Sequence, residues 1–237
     1  MKKNFVSAQD VAALAGVSRS AVSRAFTQGA SISGETRHRV LSAATTLGYQ
    51  VNHLARGLMV DRSGIVCLIV TEMDTPYRAR MVRLLTQALQ DAGSVAMVIN
   101  TDRSDESVTK ALQQTMAYRA DASILLSGLP DRSIVQRCLD NGQRIVLINR
   151  DDPMEGPHRI NLDDAGAARQ GLNAFLAAGC RRLAFANSAV GTPSLMAREA
   201  GFVAAAHEQG MPVTVARHGA TLYPSGMALA HDLLTRA

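Results

Sequence analysis

Apolar positions in the first fifty residues of this 237-residue chain recur three and four apart, in short bursts punctuated by serine and glycine. That spacing predicts short amphipathic helices. Ser7, with Asp10 three residues on, is an N-cap signature, and Val11 and Leu14 follow on one face. Gly16 is the residue type that ends a helix in the left-handed conformation. Ser18 caps a second helix running to about Phe26, with Val17, Val22 and Phe26 as its buried stripe. After a polar loop over 27–32, Ser33 caps a third helix that stops at Gly48, with Val40, Leu41, Ala44 and Leu47 turned inward. Three short helices, the first two joined tightly through Gly16, predict a helix-turn-helix unit.

From Gly64 the pattern changes. GIVCLIV is a continuous apolar run, as in a parallel strand covered on both faces. Helical and strand-like stretches then alternate: helix 79–92, strand 95–99, helix 105–118, strand 122–126, helix 132–141 and strand 145–148. A second series starts near Ile160, with helix 165–178, strand 183–186, helix 195–209, strand 213–216 and helix 225–235. Regular alternation predicts right-handed parallel α/β units. The organisation expected is a helical domain over 1–60, an α/β subdomain over 62–161, and a second, incomplete α/β subdomain over 162–237.

Charge sharpens this division. Residues 1–62 hold eight Lys and Arg against three Asp and Glu, so they carry the whole formal charge of +5. A basic segment ahead of a neutral remainder fits a polyanionic partner for that segment alone. Arg19, Ser20, Ser23 and Arg24 fall on the outer side of the second helix. An isolated stretch of that kind is usually a solvated surface. In a helix-turn-helix, the second helix enters the DNA major groove, where arginine bonds guanine and serine reaches bases or phosphates. The serines Ser7, Ser18 and Ser33 mark helix N-termini, which can receive phosphates.

Other chemistries are thinly represented. Cys67, Cys138 and Cys180 are odd in number and widely spaced, which predicts buried free thiols in a reducing cytosol. No CxxC, HExxH, P-loop, nucleophile elbow or GxGxxG occurs, so neither a metal, a cofactor nor an enzymatic activity is expected. His53, His158 and His218 have no partners at ligand spacing, and Asp163 with Asp164 reads as helix capping. The start MKKNFVSAQD lacks an apolar signal core and no run is long enough to span a membrane, which reads as a soluble, cytoplasmic protein.

The stretches SAQDVAALAGVSRSAVSRAF and SISGETRHRVLSAATTLGYQVNHLARGL combine D-V-A-x-x-A-G-V-S, V-S-R, S-x-x-T-R, L-G-Y and N-x-x-A-R-x-L. This combination resembles the DNA-binding headpiece of the LacI/GalR family of bacterial repressors. MDTPYRARMVRLLTQAL, VLINRDDP, INLDDAGAARQGLNAFLAAGCRRLAFA and AREAGFVAAAHEQGMP resemble that family's periplasmic-binding-protein-like core.

The resemblance implies a dimeric regulator of a palindromic operator, switched by a small, sugar-like effector. It assigns base reading to Arg19, Ser20 and Arg24, and phosphate contacts to Ser7, Ser18, Ser23 and Thr36. Asn52 and Leu58 match a hinge helix over 52–60, whose leucine wedges into the minor groove. Asp74, Thr75, Tyr77, Asn149 and Arg198 match effector-contacting positions. Val51 stands where the family usually has proline, Gly57 interrupts the hinge, and Asn149 replaces a more common aspartate. The family core normally runs further, so the resemblance also implies a shortened second lobe with a weakened effector response. A free sugar-binding protein of the periplasmic type shares the core fold, but the basic headpiece argues against it.

Overall fold

The computed structural model describes residues 5–27, 29–51, 62–73, 75–102, 104–126, 130–149 and 154–235. Asn52, Leu58 and the rest of the expected hinge helix lie outside them, as does Asp74. The chain forms two compact units, Met1–Ser63 and Gly64–Ala237.

The first unit holds α1 (Ala8–Ala15), α2 (Arg19–Ala25) and α3 (Gly34–Leu47). Ser7 closes the start of α1 in a reciprocal capping box: its hydroxyl accepts from the Asp10 amide, and the Asp10 carboxylate accepts from the Ser7 amide. Gly16 and Gly48 take φ near +65°, the left-handed conformation that glycine adopts without steric cost, and end α1 and α3. The core is built from small residues: Val11, Ala12 and Ala15 of α1, Val22 and Ala25 of α2, and Val40, Ala43 and Ala44 of α3. Leu14 and Leu41, expected inside, are exposed instead, Leu14 by 54 %. Alanines on the buried stripes let the helix axes approach closely, and the bulkier leucines rotate to the flanks. Arg37 ties the unit together by donating to the carbonyls of Ala25 and Ala30 at 2.8 and 3.4 Å.

The second unit begins with β1 (Ile65–Val70), α4 (Pro76–Asp91), β2 (Val95–Asn100), α5 (Asp105–Ala117), β3 (Ala122–Leu125), α6 (Arg132–Asp140), β4 (Arg144–Ile148) and β5 (His158–Ile160). Their sheet is parallel throughout, in the order β2-β1-β3-β4-β5. Side chains of β1 alternate between two apolar clusters. Ile69 packs with Val108 and Leu112 of α5 and Ile134 and Val135 of α6, whereas Leu68 and Val70 pack with Val82 of α4. Helices therefore cover both faces, as the unbroken apolar run of β1 requires. Burial pushes the Cys67 thiol up to about 12 and the Cys138 thiol to about 11, so neither is a thiolate at neutral pH.

The remaining elements are α7 (Asp164–Ala177), β6 (Leu183–Asn187), α8 (Pro193–Glu208), β7 (Val213–Arg217) and α9 (Tyr223–Thr235). β6 and β7 pair in parallel, from Leu183 opposite Val213 to Asn187 opposite Arg217. Ala168 and Leu172 of α7 share a core with Phe202, Ala205 and Ala206 of α8, and the Phe185 and Phe202 rings lie 5.3 Å apart. α4 and α8 both start earlier than their apolar periodicity suggests, because each places a proline in its first turn, where no amide is needed.

α7 and α8 meet at Gly201. A β-carbon there would stand 2.7 Å from the Ala165 Cα, inside contact distance of a backbone atom. Gly201→Ala should therefore lower the stability of the chain by about 1–3 kcal/mol through overpacking. Gly171, also helical but in open space, should gain up to about 1 kcal/mol on replacement by alanine. Urea unfolding of both variants, followed by far-UV circular dichroism, measures the contrast. Equal effects would show that the seam yields.

Candidate functional site

α2 is a seven-residue helix with two buried residues. Val22 and Ala25 face the core, and the rest of one side is left to solvent. Arg19, Ser20, Ser23 and Arg24 are exposed. Ser18 caps the helix through the Ala21 amide at 3.2 Å, and its hydroxyl lies 2.8 Å from that of Ser20. The Arg24 Nε donates to the Ser20 carbonyl at 3.4 Å, laying the side chain along the helix. Neither Arg19 nor Arg24 has an acidic partner among the described residues. Their charge is available to an outside anion.

Each capping serine satisfies one of the free amides at its helix start. The Ser7, Ser18 and Ser33 hydroxyls each accept an amide of their own helix, and Ser33 also donates to the Thr36 hydroxyl at 2.8 Å. At α1 the Asp10 carboxylate accepts in return from the Ser7 amide and hydroxyl, both at 2.8 Å. Its pKa is held below the ordinary aspartate value by hydrogen bonds from the Ser7 amide and hydroxyl.

In the second unit the strand order changes direction at β1, between β2 and β3, and beyond the carboxyl ends of such strands ligands usually bind in parallel sheets. Thr75 and Tyr77 lie at the start of α4, just beyond β1. The Thr75 hydroxyl donates to the Glu72 carbonyl at 3.0 Å, and Tyr77 is half exposed. Asn149 follows β4 at φ +55°, a left-handed conformation that asparagine tolerates better than most residues. Its amide donates to the Ile160 carbonyl at 2.8 Å, its Oδ1 accepts from the Leu162 amide, and its Nδ2 donates to the Tyr77 hydroxyl at 3.4 Å. Tyr77 and Asn149 are thus brought together, although 72 residues separate them. The Thr71 hydroxyl, just past β1, is buried without a hydrogen-bond partner among the described residues. Nothing in the local sequence singled it out.

Arg198 belongs to a different grouping. Its Nε donates to the Asp164 carboxylate at 2.7 Å, whose other oxygen accepts from the Ser194 hydroxyl at 2.6 Å. Asp163, and not Asp164, caps α7 by accepting from the Gly166 amide. The next residue, Glu199, turns to β7 and β6, where it accepts from Arg217 and from the Asn187 Nδ2 at 2.9 Å. These two polar groupings escaped sequence reading because their partners lie 12 to 34 residues apart.

Residues 7–52 match the model of bacterial regulatory proteins of the lacI family, and residues 63–236 match periplasmic binding proteins and the sugar binding domain of the LacI family. The chain belongs to the LacI family. The transcriptional regulator CelR of Thermobifida fusca is 30% identical over 236 residues, covering 96% of this chain and 69% of CelR. The transcriptional regulator GalS of Salmonella typhimurium is 28% identical, covering 87% of this chain and 61% of GalS. This chain spans only part of the length of those LacI-family relatives. Among solved structures, the lac repressor dimer bound to operator and the anti-inducer ONPF superposes with a TM-score of 0.85 at 22% identity, covering 98% of this chain and 71% of that one. At that identity the likeness speaks for the fold. Among the described residues, no helix is long and apolar enough to cross a membrane.

The Glu199 grouping carries a pH dependence. The Arg217 guanidinium, helped by Asn187, holds the buried Glu199 carboxyl below its ordinary value of 4.5. A depressed carboxylate contributes stability in full above its unfolded pKa and loses it as pH falls through the folded one. Glu199→Gln should therefore destabilise the chain by about 1–3 kcal/mol at neutral pH. The gap to wild type should narrow as pH drops below 4.5. Urea midpoints across pH read this directly, and a constant gap would assign the cost to packing.

Proposed function

We propose that this chain is a DNA-binding transcriptional regulator that reads a palindromic operator as a homodimer and answers to a small, hydroxyl-rich effector. The observation that carries the reading is α2: a helix in helix-turn-helix context with two serines and two arginines on one exposed side, neither arginine having an acidic partner among the described residues. In this proposal Arg19, Ser20 and Arg24 meet base edges. Ser7, Ser18, Ser23 and Thr36 lie along phosphates, and Asn52 and Leu58 serve at the hinge. Asp74, Thr75, Tyr77, Asn149 and Arg198 serve the effector, in a core whose lobes divide near residue 161. The names of the relatives support this direction. CelR and GalS are transcriptional regulators, a solved structure similar to this chain is a CelR–cellobiose complex with 27% identity and a TM-score of 0.60, and the lac repressor structure is a dimer on its operator. A role as a regulator, with no catalytic step, accounts for every residue named. The match of residues 7–52 to a regulator headpiece sets this chain apart from a free sugar-binding protein.

The test begins with duplexes that the full chain selects from a randomised library. On the best of them, Arg19→Ala or Arg24→Ala should each cost about 1–3 kcal/mol of specific binding and relax preference at one base pair. Fluorescence anisotropy on the selected site and on single-position variants gives both quantities. Uniform weakening on all sequences would make the residue a phosphate contact. No selection of any sequence would overturn the reading.

A further inference from the structure

We propose that Asp164 is a positioning residue: it holds Arg198 in one orientation and cancels its charge, so that the effector site favours an uncharged polyhydroxy ligand over an acid or a phosphorylated sugar. This rests on Arg198 serving the effector, as proposed above. The Asp164 side chain is only 9 % exposed and spends both oxygens on α8, one on the Arg198 Nε and one on the Ser194 hydroxyl. Arg198 remains 42 % exposed, and its two terminal nitrogens have no partner among the described residues. A guanidinium held at Nε keeps a planar, two-pronged edge whose direction is fixed before any ligand arrives.

The ion pair is not all that joins the helices. Backbone-close packing at Ala165 and Gly201, followed by the apolar contacts of Leu172 and Phe202, already sets α7 against α8. Glu199 anchors the same turn of α8 to β7 through Arg217. Whatever it adds to the seam, the buried carboxylate acts on the exposed group it touches. An anion approaching Arg198 meets a pair of no net charge and a carboxylate a few ångströms behind it. Hydroxyls, which accept from the prongs without adding charge, suffer no such repulsion.

The experiment uses the full chain, wild type and Asp164→Asn, which keeps the shape and removes the charge. Calorimetric titration with cellobiose, glucuronate and fructose 1-phosphate gives the neutral-to-anionic affinity ratio. The ratio should favour the neutral sugar in wild type and fall by about tenfold or more in Asp164→Asn. An unchanged ratio, or a wild type that prefers the anions, would overturn the inference. Binding of none of the three sugars would count against the effector reading and leave this inference to its own probe, inorganic phosphate followed by phosphorus NMR. Phosphate binding that is absent in wild type, appears in Asp164→Asn and disappears again in Asp164→Asn/Arg198→Ala supports it. Equal phosphate behaviour in wild type and Asp164→Asn contradicts it.

Discussion

A seven-residue helix of sequence RSAVSRA cannot hold itself together in water, because so few hydrogen bonds do not offset the cost of nucleation. α2 exists only because Val22 and Ala25 are docked against α1 and α3, and because Gly16 and Arg37 fix where it starts and where its end is tied. The outward face of Arg19, Ser20, Ser23 and Arg24 is a consequence of that docking. With two small inward residues and a rigid turn before it, the helix has no other side to present. The headpiece's whole capacity to meet another molecule through this helix follows from a core of eight small apolar residues.

The α/β unit solves a comparable problem with opposite means. Its interior is large and apolar, and polar groups appear where strands and helices end. Asn149 and Tyr77 meet past the carboxyl ends of β4 and β1, where ligands usually bind in parallel sheets. In the second lobe two consecutive residues of α8 divide the labour. Arg198 looks to α7 and stays half open, whereas Glu199 is buried against β6 and β7. The half-open member can interact with a newcomer; the buried one cannot without unfolding its surroundings.

The pattern of apolar positions sufficed for the order and type of the elements, since long periodic stretches such as 105–118 and the solid run of β1 allow few alternatives. It misplaced Leu14 and Leu41 because it ranks residues by hydrophobicity, and the alanine-lined helices bury the small neighbour and leave the large one outside. It dated the starts of α4 and α8 too late, since proline reads as a breaker unless its place in the first turn is foreseen. The exposed face of α2 was legible because helical spacing alone fixes which side chains share a side. Pairings such as Asp164 with Arg198, or Asn149 with Tyr77, were not, because sequence spacing carries no information about which distant segments the sheet brings together.

α2 is proposed as the surface that meets duplex DNA, and amide mapping tests this most directly. Nitrogen-15 spectra of the full chain, recorded while a selected duplex is added at low salt, should show perturbation concentrated at residues 18–24. The amides of Gly171 and its neighbours in α7 should stay fixed, and the α2 perturbation should fade as salt rises. Perturbation that spares residues 18–24 while the duplex is bound would contradict the account.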